Sequence, residues 1–70
     1  MIKKAMLKSF NATAYTATVQ IVGSLSAWLQ DVPVSRAIPS AEMVAGRACA
    51  LLLLDPSNPQ DSVVVAVWGS

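Results

Sequence analysis

The chain has 70 residues, five Lys or Arg against four Asp or Glu, no His, one Cys, 54% apolar residues and 13% charged ones. A chain this short is one domain, and without His it lacks the commonest neutral-pH general base and metal ligand. A single Cys excludes an internal disulfide and a Cys-rich zinc site, so no enzyme, cofactor or metal centre is expected.

Lys3, Lys4 and Lys8 form the only basic cluster. Basic residues followed by apolar ones, with Ala12-Thr13-Ala14 as a small-residue site, invite a signal-peptide reading, but Lys8, Ser9 and Asn11 interrupt the apolar stretch it needs. Polar side chains recur throughout residues 9–30, and the apolar runs 48–54 and 63–68 are too short to cross a bilayer. No membrane association is expected, and an unpaired Cys suits the cytoplasm, or a virion assembled there. The sequon Asn11-Ala12-Thr13 is then a chance match.

Residues 5–10 read as a strand beginning after the basic tail, and residues 11–13 as a turn. Tyr15, Ala17, Val19 and Ile21 alternate with Thr16, Thr18 and Gln20, the period-two pattern of a half-buried strand. Gly23-Ser24 ends it. Residues 25–29 predict a third strand, Gln30-Asp31 a turn, and residues 32–38 a return strand whose Pro33, lacking an N–H, belongs at a sheet edge or beside a bulge. Pro39-Ser40 stops that strand, and Ser40 as N-cap with Glu42 in the first turn predicts a short helical turn near residues 40–45.

Residues 41–54 suit a helix by propensity, but such a helix would be apolar on every side beyond Ala48, which so small a protein has no interior to bury. A turn, Gly46 and then a strand over residues 47–54 is the preferred reading. Residues 55–61 are rich in Asp, Pro, Ser and Asn and read as a hairpin loop, with residues 62–68 as the closing strand. Gly69-Ser70 reads as an expression scar or frayed end. The expectation is a mainly β, single domain over residues 1–68: a small antiparallel barrel of five to six strands, OB-like or SH3-like.

Residues 16–21, Gly46 leading into the apolar run 48–54, the loop 55–61 and Val63-Val64-Val65 together resemble the small OB-like barrels of phage baseplate and tail-spike assembly proteins. That resemblance covers residues 15–68 and implies a trimeric or ring-like structural role.

No constellation of catalytic type emerges. Asp55 and Asp61 flank one loop and are read as turn caps, and Cys49 as a buried small hydrophobe with a raised thiol pKa. Twice the apolar-to-charged imbalance of ordinary domains points instead to a partner surface, with a second copy as the economical partner, although a different protein partner is compatible with the same imbalance. Trp28 lies on the polar face of its segment, and with Met43, Val44, Leu52, Val64 and Trp68 it is expected to form the contact. The alternative reading is a single-strand nucleic-acid-binding domain using Lys3, Lys4, Lys8, Arg36 and Arg47 beside the aromatic rings. A net charge of +1 gives little field to recruit such a ligand, so nucleic acid is the less favoured partner.

Overall fold

The computed structural model describes residues 1–23, 28–55 and 57–69. Alternation decides the first elements. Strand β2 (Thr16–Ile21) buries Ala17, Val19 and Ile21 and leaves Thr16, Thr18 and Gln20 half-covered. Strand β1 (Ile2–Asn11) is longer than the sequence suggests and contains Lys3 and Lys4. The cause is a second neighbour: besides β2, β1 pairs with β4 (Ala48–Leu53), matching Ile2 with Leu52 and Met6 with Ala48. A strand with a ladder on both sides extends as far as either ladder reaches. The β1–β2 turn is closed by Asn11, whose Oδ1 accepts from the amides of Thr13 (3.0 Å) and Ala14 (3.2 Å).

Strand β3 (Trp28–Pro33) departs from expectation. The chain does not reverse at Gln30-Asp31: Asp31 takes a left-handed conformation (φ 55°), and these two residues together oppose Thr18 as a bulge. The predicted return strand over residues 32–38 is therefore absent. Val34 makes one isolated bridge, and residues 35–38 form a turn closed by the Ile38 amide donating to the Ser35 carbonyl (3.0 Å). The expected strand start at residues 25–27 lies outside the described residues, as do Pro56 of the hairpin loop and Ser70.

A single 3-10 turn (Ser40–Glu42) follows, with Pro39 in the capping position and no side-chain cap bond, so Ser40 does not act as N-cap. Gly46 adopts φ 96°, a conformation that favours a residue without Cβ. It ties the segment to β1: the Gly46 amide donates to Leu7 O and the Leu7 amide to Arg47 O, both at 2.8 Å. The helix considered for residues 41–54 does not form. Instead β4 alternates, burying Cys49, Leu51 and Leu53, and pairs with β5 (Ser62–Trp68) across the hairpin.

The strands form one antiparallel sheet in the order β3-β2-β1-β4-β5. Its end strands approach each other, but among the described residues backbone closure is confined to a parallel bridge between Val34 and Val64, with the Ser35 amide donating to Val64 O (2.9 Å). The fold is thus a curled five-stranded sheet rather than a closed barrel. Its concave side holds Leu7, Val19, Val32, Leu51 and Val64, and residues 34–47 add Val34, Ile38 and Met43.

Candidate functional site

The convex side of the sheet carries the chemistry of interest. Residues directly opposite in neighbouring strands point to the same side, so register lays the side chains out in rows. One row crosses all five strands: Trp28, Gln20, Met6, Ala48 and Trp68. The next contains Lys4, Ala50 and Ala66, and a third Ile2, Leu52 and Val63. Over β1, β4 and β5 this outer face is mostly apolar; its charges are Lys4 in the middle row and Lys8 at the β1 bulge, which reaches Trp28 of the first row. On β2 the same side is polar, with Thr16, Thr18 and Gln20.

Exposure confirms that this face is uncovered in the single chain. Among the described residues, Ile2, Trp28 (52%), Val65 and Trp68 (46%) are exposed large apolar side chains, with Met1, Val22, Val44 and Leu54. Two residues assigned to the contact surface belong elsewhere. Val64 points into the core with no exposure, because the alternation that puts Val63 outside puts Val64 inside. Met43 is buried because the turn after Ser40–Glu42 folds it beneath the sheet. Trp28, Val44 and Trp68 are exposed and Leu52 is half-buried on the outer face, but Trp28 and Trp68 stand on opposite end strands.

The basic residues engage different partners. The Lys8 ammonium sits 5.3 Å from the centre of the Trp28 ring. The Arg36 guanidinium lies 5.1 Å from the centre of Tyr15, which packs edge-on against Phe10 and donates its hydroxyl proton to Ile38 O. Arg47 bonds Glu42 through both its carbonyl (3.1 Å) and its carboxylate (3.3 Å). Lys3 and Lys4 are consecutive strand residues, so their side chains leave opposite sides of β1.

Reactive groups are few. Burial pushes the Cys49 thiol up to about 11, which leaves it protonated and unreactive at neutral pH. Asp55 accepts from the Ser57 hydroxyl (2.7 Å) and amide (3.1 Å), and these bonds hold its carboxyl below the ordinary value. Its chemistry is that of a turn. Among the described residues no three metal-ligating side chains converge, no pocket forms, and no helix is long and apolar enough to cross a membrane. No family model, no curated protein and no solved structure matches this chain.

Proposed function

We propose that this protein is a non-catalytic structural or interaction module that associates with copies of itself through its exposed apolar surface. The observation that carries the reading is the apolar surface left uncovered along β1, β4 and β5, where Ile2, Val65 and Trp68 are exposed beside the half-buried Met6, Leu52 and Val63 and the outer side carries two charges, Lys4 and Lys8. Contiguous apolar surface of that kind on a small chain marks a contact with another macromolecule. Strand β5 brings no charge to that surface, so a second copy meets no like-charge repulsion there.

For the architecture, we propose the partly open, OB-like form of a small barrel. The strand order β3-β2-β1-β4-β5, the parallel bridge between β3's extension and β5, and the 3-10 turn between β3 and β4 support it. An assembly role of the sort the phage baseplate domains have fits a module with so much uncovered apolar surface, working in the cytoplasm or in a virion.

Size-exclusion chromatography with light scattering, over about 10 to 300 µM, tests the function directly. A mass that rises above 7.3 kDa with concentration is expected. A constant 7.3 kDa over the whole range overturns the reading.

One observation favours a rival. The pairing of Lys8 with the exposed Trp28 ring places a cation beside a stacking platform, as single-strand binding requires. Retention of a single-stranded oligonucleotide at about 50 mM salt, lost when Lys3, Lys4 and Lys8 are replaced by Glu, would mark that activity. No retention removes it.

A further inference from the structure

The two end strands of the sheet differ in how their free edges are finished. Edge strands expose unpaired N–H and C=O groups, and proteins that must stay single blunt them with charge, proline, bulges or covering groups. Strand β3 has all four. Asp31 sits in the bulge with left-handed backbone, Pro33 has no N–H to donate, and Gln60 reaches across from the hairpin loop to give its Nε2 proton to the Gln30 carbonyl (2.6 Å). Strand β5 has far less. From Ser62 to Trp68 it contains no charge and no proline, and its one irregularity is the bulge at Val65. Val34 and Ser35 cover it at Val64, and among the described residues no strand pairs with it beyond that point. The uncovered stretch carries Val65, Ala66 and Trp68, all exposed.

Resting on the reading that the protein self-associates, we infer that its contact is the β5 edge, paired antiparallel with β5 of a second copy about a two-fold axis at Ala66. A two-fold contact matches a strand segment with itself, which requires a segment that does not repel its copy, and an uncharged one meets that need. Antiparallel pairing then sets Ala66 of one copy opposite Ala66 of the other, small side chains that let the strands approach, with the exposed Val65 and Trp68 of each copy flanking the seam. The competing arrangement, stacking of two outer faces, puts Lys4 of both copies at the centre of an apolar contact, where unpaired ammonium groups would be desolvated at high cost. In the edge-paired dimer Lys4 stays in water. A ladder this short gives a small interface, so the dimer exchanges with monomer as concentration falls.

Four variants separate the possibilities by light scattering, with far-UV circular dichroism confirming that each keeps its strands. Val65→Lys and Ala66→Lys place like charges across the seam and are expected to raise the dimer dissociation constant about tenfold or more. Leu52→Lys, one strand in from the edge, and Trp28→Ala, on the opposite edge, are expected to leave it unchanged. An oxidised Ala66→Cys protein should also run as a disulfide-linked dimer, since the buried Cys49 does not compete. If Leu52→Lys or Trp28→Ala dissolves the assembly while both β5 variants leave it intact, self-association stands and the edge assignment is overturned. A parent protein that is monomeric at every concentration overturns both.

Discussion

Met43 and Val64 show how one residue's place is decided by its neighbours rather than by its own character. Val64 lies in a run of three valines, and nothing in that run says which one faces inward. The decision comes from pairing with Leu51, itself fully buried. Met43 is expected to behave as a core residue: Met43→Ala should lower stability by about 2 to 5 kcal/mol in urea denaturation without altering the mass of whatever assembly forms. A neutral effect on stability would return it to the surface. Cys49 was legible as a buried thiol from its apolar flanks, and its environment has a pH consequence. The folded protein holds the thiol proton up to about 11, whereas an ordinary thiol loses it near 9.0. The stability this contributes is complete below about pH 9 and is lost as pH climbs toward 11, a change on the order of 2 kcal/mol. Urea midpoints of the parent should fall over that window more steeply than those of Cys49→Ala; parallel slopes would show that the thiol is not responsible.

At the scale of elements, the sequence marks a strand well where polar and apolar positions alternate, and poorly where both sides of the strand are apolar. Strand β2 is legible from its alternation, since threonines and a glutamine flag its outer side, except that Tyr15, read as its first apolar position, stays in the turn with left-handed backbone (φ 56°). Strand β4 offers Ala48, Ala50 and Leu52 outside against Cys49, Leu51 and Leu53 inside, a contrast too small to reveal that a face is exposed. Alternation therefore does not reveal the outer face as a whole, although Trp28, Leu52 and Trp68 on it stand out in the sequence. Strand β3 misled for a different reason: Gln30-Asp31 has turn chemistry, and the fold uses it for a bulge instead. The left-handed backbone at Asp31 makes this testable. Asp tolerates that region better than branched residues do, so Asp31→Val should cost about 1 to 2 kcal/mol while Asp31→Gly is neutral or mildly stabilising. Equal denaturation midpoints for the two variants would mean that the strand is not held in that conformation.

For the whole molecule, the accessible surface of 4078 Å² is close to the roughly 4,200 Å² that size scaling gives a folded monomer of this mass. The radius of gyration, 10.7 Å, likewise matches the roughly 11 Å of a compact chain of this length. The fold therefore hides about as much surface as any small domain can, and the excess of apolar side chains is left outside. Composition made that excess legible, but not its location, because location depends on which strand ends the sheet and how its edge is finished. The two tryptophans now serve as separate reporters of location, standing on opposite end strands and both about half exposed. With Trp28→Phe, only Trp68 emits, and edge pairing at β5 covers its indole as the protein is concentrated, so the emission maximum should move to shorter wavelength. With Trp68→Phe, only Trp28 emits, beside Lys8 on an edge that stays in water, and its maximum should not move. A shift confined to Trp28 would place the contact on β3, against the charge, bulge and proline that finish that edge.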